Sequence, residues 1–157
     1  MPLIHVFLTA MLPIGELRAS IPIAILRADL PWQEAFLVSV AGNMVPVLVL
    51  TPCLHRLASY LSSFQNPLGR LLAWRTQKLK SAHQKAFSRF GPLALVLLVA
   101  IPLPITGAWT GTLAAWVFQI PAKTAIPLIA IGVCIAGGIV TLLTLSGIHI
   151  TLLITAE

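Results

Sequence analysis

Residues Leu12 to Pro22 read LPIGELRASIP: two bounding prolines' worth of helix-hostile chemistry, with a glycine, a carboxylate at Glu16 and a guanidinium at Arg18 between them, inside a mostly apolar N-terminal block. A charge left uncompensated in hydrocarbon costs at least roughly 3 kcal/mol, so an ionisable residue in such a block must face protein or water. The stretch therefore predicts a break in a membrane helix that carries a polar site.

The rest of the chain supports that setting. Of 157 residues, 58% are hydrophobic and only 9% charged, with a mean hydropathy of +0.97, whereas soluble domains carry about a quarter charged residues. A soluble fold of this length still needs a polar exterior, so the composition predicts one integral membrane domain over residues 1–157. The net charge of +6 is concentrated: seven of the ten Lys and Arg fall between Arg56 and Arg89, with no acid among them. Positive loops stay on the cytoplasmic side, which assigns this segment to the inside of a bacterial inner membrane. Aromatic and basic residues do not alternate there as a strand-binding groove requires, so nucleic acid is not an expected partner. A cleaved signal peptide is not expected, because no cation precedes the first apolar run. Cys53 and Cys134 read as small buried hydrophobes, and the four histidines lack ligand spacing, so neither a metal nor a cofactor is expected.

Apolar blocks run from Leu3 to Leu26, Ala35 to Leu54, Pro92 to Ile120 and Ala125 to Ile154. The second and fourth read as spanning helices, since about 20 residues at a rise of 1.5 Å cross a core of roughly 30 Å. The first and third are interrupted, by Pro13, Gly15 and Pro22 and by Pro102, Pro104, Gly107 and Gly111. Length alone permits either one broken crossing or a re-entrant hairpin that dips to mid-depth and returns. Either way, backbone exposed at the break must be shielded by protein or by a wet cavity.

An internal repeat favours the hairpins. LPIGELRAS at Leu12 lies on LPITGAWTG at Leu103, and DLPWQEAFLVSVAG at Asp29 on QIPAKTAIPLIAIG at Gln119, pairing Pro31 with Pro121, Ala35 with Ala125 and Gly42 with Gly132. With hairpins, one spanning helix separates the units and the second is inserted upside down, the inverted-repeat layout of transporters. The predicted fold is thus an all-α polytopic membrane protein of two inverted repeats, about 3–55 and 92–154, each a re-entrant hairpin plus a transmembrane helix. Lys123 then joins the loop cations inside. Between the repeats, Asn66 and Pro67 read as a helix start, and apolar positions share one face of a cytoplasmic amphipathic helix over about 66–90. Arg70, Arg75, Lys78, Lys80, Lys85 and Arg89 on it are candidate contacts for lipid headgroups.

The expected site lies where the two breaks meet. Arg18 offers paired donors for a phosphate or carboxylate at a charge that does not titrate, and Glu16 is a candidate proton-coupling group. Gly15 allows close backbone approach beside them. From the other break, Thr106 and Thr110 supply hydroxyls, Trp109 a flat face, and Gly107 and Gly111 room; the repeat sets Glu16 opposite Gly107 and Arg18 opposite Trp109. Asn43 in the first spanning helix is expected to serve helix packing rather than a ligand.

PIGELRASIP followed some ninety residues later by PLPITGAWTG resembles the putative small multidrug export protein family, over most of the chain, which implies export of small compounds. The layout resembles, more distantly, the DedA and VTT membrane proteins, which implies lipid transport. Those proteins carry arginines in the second hairpin, where this chain has none, so only Glu16 and Arg18 match an acid-and-arginine pattern. The expected function is transport of an amphipathic anionic lipid or lipid-phosphate, with proton-coupled drug export and a structural membrane subunit as alternatives. No nucleophile and base set or phosphate loop occurs, so an enzyme is not expected. A homodimer is expected, because so short a chain offers little protein to shield two breaks.

Overall fold

The computed structural model describes residues 2–62, 91–102 and 106–155, and all its regular elements are α-helices. In chain order these are α1 (Pro2–Met11), α2 (Glu16–Leu26), α3 (Trp32–Ser62), α4 (Gly91–Ala100), α5 (Ala108–Val117) and α6 (Ala122–Thr155). Two short helices followed by a long one thus occur twice. Within the long helices, Trp32–Leu54 and Ala122–Ile148, of 23 and 27 residues, are long and apolar enough to cross a bilayer. The short helices, of 10 or 11 residues, each rise only about 15 Å.

Proline chemistry ends α1 and α4. Pro13 has no N–H to donate and disfavours helix in the residue before it; the Glu16 amide donates to the Leu12 carbonyl at 3.2 Å, carrying the chain into α2. Pro102 lies just beyond α4, while Pro104 lies outside the described residues. Pro22, expected at the edge of the first break, instead lies inside α2. Its missing N–H removes the helical bond to the Arg18 carbonyl, a loss that packing against neighbouring helices tolerates. Gly111 likewise lies within α5, its amide donating to the Gly107 carbonyl at 2.8 Å, so the second break closes at Gly107. The expected amphipathic helix, with Arg70, Arg75, Lys78, Lys80, Lys85 and Arg89, lies outside the described residues.

The packing of each half fixes the direction of its helices. Phe7 and Ala10 of α1 lie against Gly42, where a Cβ would stand 2.5 Å from the Phe7 carbonyl oxygen, and Val6 shares an apolar cluster with Ala35. So α1 runs beside α3 in the same direction. Ser20 of α2 donates to Ser39 of α3 at 2.8 Å, and Ala24 packs in the cluster with Ala35. So α2 runs the opposite way. In the second half Val96 and Val99 of α4 lie against Gly132 of α6, and Gly111 of α5 lies against Val99 and Ile129.

Corresponding details recur at both helix junctions. Leu30 donates to the Ala24 carbonyl at 3.1 Å and Ile120 to the Ala115 carbonyl at 2.8 Å; Ala35 donates to Pro31 at 3.0 Å and Ala125 to Pro121 at 2.9 Å. Among the described residues, left-handed φ angles occur at Glu16 (47°), Asp29 (49°), Gly107 (155°) and Gln119 (56°). These are two pairs of positions that the repeat sets opposite one another. The core runs between the halves, through Leu17, Ile21, Val47, Val99, Ile129 and Val133. Outer faces are apolar too: Leu48, Val49, Leu142 and Leu143 are exposed, as a lipid-facing surface requires.

Candidate functional site

Glu16 opens α2 with a φ of 47°, a conformation that costs a residue with a side chain of order 1 kcal/mol or more and persists only where its surroundings enforce it. What enforces it is the second break. The carboxylate is buried at 8% exposure and packs directly on Gly107, where a Cβ would coincide with the carboxylate itself. Only glycine both leaves that space and adopts the φ of 155° found there. The Trp109 amide donates to Oε1 of Glu16 at 3.3 Å, and the Ala108 amide faces the same carboxylate. These are first-turn amides of α5, which lack helical acceptors and carry the positive end of the helix dipole, so a carboxylate there is stabilised.

Arg18, two residues further along α2, reaches toward Thr106. One terminal nitrogen of the half-buried guanidinium donates to the Thr106 carbonyl and, at 3.1 Å, to its hydroxyl. That hydroxyl in turn donates to the Ile101 carbonyl at 2.9 Å. A third tie is made by Trp109, whose indole N–H donates to the Met11 carbonyl at 3.1 Å and satisfies one of the open carbonyls ending α1. Each break is thus held by groups of the other.

Together Glu16, Arg18, Gly107 and Asn43 bound a small cavity of about 10 Å³ with Leu17, Val99, Ala108, Val133 and Ala136. Asn43 is 1% exposed, and its amide lies within reach of the Glu16 carboxylate without a hydrogen bond of normal geometry at either amide atom. The opposed positions Glu16 and Gly107, Leu17 and Ala108, and Asn43 and Val133 all line it. The cavity lies where the two halves of the chain meet.

Among the residues expected from sequence, Glu16, Arg18, Thr106, Gly107 and Trp109 come together. Thr110 does not reach the cavity: its hydroxyl donates to the Gly107 carbonyl at 3.1 Å and finishes the first turn of α5. Gly15 packs on Ala19 and Thr9 outside the lining. Asn43, read from sequence as a packing residue, lines the cavity together with Glu16 and Arg18. Its place, and that of the apolar walls, depends on tertiary register; the one sequence signal was that Asn43 stands opposite Val133 in the repeat. No group of three or more His, Cys, Asp or Glu gathers among the described residues.

Residues 16–139 match the family described as "Putative small multi-drug export protein". The chain belongs to this family. The matched range contains every residue lining the cavity. No curated protein and no solved structure matches the chain. As a small multidrug export family member with two apolar helices long enough to span a bilayer, the protein is a membrane protein.

Proposed function

We propose that the protein exports small lipophilic compounds across the bacterial inner membrane, with Glu16 as the group that exchanges protons or cationic cargo and the two breaks as the walls of its site. The observation that carries this reading is the buried Glu16 carboxylate resting on Gly107 and the first amides of α5. A carboxylate kept at the junction of two interrupted helix pairs, in a chain of an export family, supports this reading, because alternating access between the pairs would act on it. Coupling would come from ions or from the cargo's own gradient.

In this reading the chain is two inverted units. The short helices are each about half as long as the roughly 30 Å hydrocarbon core is thick, and α1 and α2 run oppositely along α3, as a re-entrant hairpin would. One spanning helix between hairpins then reverses the second unit and sets both Lys123 and the basic segment 56–90 on the cytoplasmic side. Ile14, at the tip of the first break, is 98% exposed; a two-fold dimer would cover such a tip.

A second reading, transport of an amphipathic anionic lipid or lipid-phosphate, draws on the half-buried guanidinium of Arg18, which keeps donors beyond those given to Thr106. Reconstituted vesicles separate the two. Under the export reading, Glu16→Gln abolishes transport of a lipophilic cation, while Arg18→Lys, which retains a donor for Thr106, keeps most of it. Under the lipid reading, Arg18→Lys loses transport of a lipid-phosphate because bidentate geometry is gone. A Glu16→Gln protein that exports the cation at the native rate overturns the first reading.

A further inference from the structure

Asn43 is enclosed in the middle of α3, its amide within reach of the Glu16 carboxylate but neither amide atom in a hydrogen bond of normal geometry. Leaving buried donors and acceptors unpaired costs about 1–3 kcal/mol each. Packing gives no reason to accept this, because the opposed position in the second half is Val133. Ser20 and Ser39, one turn further along the same helix contact, differ in kind, since their hydroxyls satisfy each other at 2.8 Å.

The Asn43 amide and the Glu16 carboxylate line the same cavity of about 10 Å³, at the lower limit for one water molecule, which needs two to four polar partners. The remaining walls from α4, α5 and α6 at Val99, Ala108, Val133 and Ala136 are apolar side chains. The charged groups facing Glu16 are few. Arg18 comes from α2; α3 presents Asn43, α5 presents main-chain amides, and α4 and α6 present no titratable side chain to the cavity.

We propose that this cavity is a water site, and that Asn43 is a positioning residue which holds one water against the Glu16 carboxylate. Its Oδ1 accepts one water hydrogen and its Nδ2 donates to a water lone pair, so the second water hydrogen points at the carboxylate. When a solvent proton reaches the water, the O–H bond facing Glu16 breaks as a new O–H bond forms on the carboxylate, and the incoming proton regenerates the water. Release runs the same steps backward, and Asn43 is unchanged. The inference rests on the reading of Glu16 as the exchanging group.

Infrared difference spectroscopy of the full chain in lipid vesicles tests it, with the Glu16 carboxyl band identified by its loss in Glu16→Gln. Asn43→Val copies the residue of the second half. It is expected to move that band to higher wavenumber, as a hydrogen bond is lost, and to slow its hydrogen–deuterium exchange on the order of a hundredfold. Ser39→Ala is expected to change neither. Should Asn43→Val fail to insert, Asn43→Ser, with one polar group in place of two, is expected to give a smaller shift of the same sign. A band and an exchange rate equal to those of the native protein in whichever Asn43 variant inserts would overturn the water site while leaving the Glu16 reading standing. Native-rate export by Glu16→Gln would instead overturn that reading whatever the band does.

Discussion

The contact between α2 and α3 and the contact between α5 and α6 use one register and opposite chemistry. In the first, residues step by one turn in opposite directions through Glu16 with Asn43, Ser20 with Ser39, and Ala24 with Ala35. In the second the corresponding positions are Gly107 with Val133, Gly111 with Ile129, and Ala115 with Ala125. The apolar version shows that this helix contact closes without polar residues. Burying a carboxylate, an amide and two hydroxyls in the other version costs desolvation that packing does not require, and this difference supports the proposal that the first contact serves transport.

The largest expected effect breaks the comparison at its join. Gly107→Ala inserts a Cβ where the Glu16 carboxylate lies and imposes a disfavoured φ; a loss of about 2–4 kcal/mol is expected, read as a lower melting temperature in detergent and as a Glu16 carboxyl newly open to water-soluble reagents. Next come the two close helix approaches. Gly42→Ala would set a Cβ 2.5 Å from the Phe7 carbonyl oxygen, and Gly132→Ala would set one 2.7 Å from the Val99 Cβ, so both are expected to lose about 1–3 kcal/mol, measured in the same way. Similar losses would affirm that the halves pack alike.

A finer test separates polar content from packing. Ser20→Ala leaves the Ser39 hydroxyl buried and alone and is expected to cost about 1–2 kcal/mol, whereas Ser20→Gly with Ser39→Ile, which copies the second half, is expected to cost less than the sum of its single changes. Thermal melts of the four proteins in the cycle give the coupling. The smallest effect expected is that of Trp109→Phe, which removes the indole donor to Met11 at a cost of about 1 kcal/mol while its backbone bond to Glu16 remains; melting temperature should fall slightly with export retained.

Much of this was legible because membrane chains leave few places for charge. Glu16 and Arg18 stand out in an apolar block, and Pro13 with Gly15 reads directly as a chain break. Pro22 misleads, since a proline inside a helix surrounded by other helices removes one bond without ending it. Gly107 reads as a break, yet its role as the seat of a carboxylate depends on a contact some ninety residues away in sequence. Asn43 illustrates the same limit: one amide in an apolar helix fits packing and function equally until its neighbours are known. The left-handed turn at Asp29 suits its residue type, while the matching turn at Gln119 is visible only through the repeat.

The most direct measurement titrates Glu16 with a lipophilic carbodiimide in vesicles and compares the modified fraction, by mass spectrometry, with the loss of export. The expected result is loss of export in proportion to modification of Glu16, while a water-soluble carbodiimide modifies the exposed Asp29 and Glu34 and spares Glu16. Export that survives complete modification of Glu16, or a Glu16 that reacts with the water-soluble reagent as readily as Asp29, would contradict a buried carboxylate at the centre of transport.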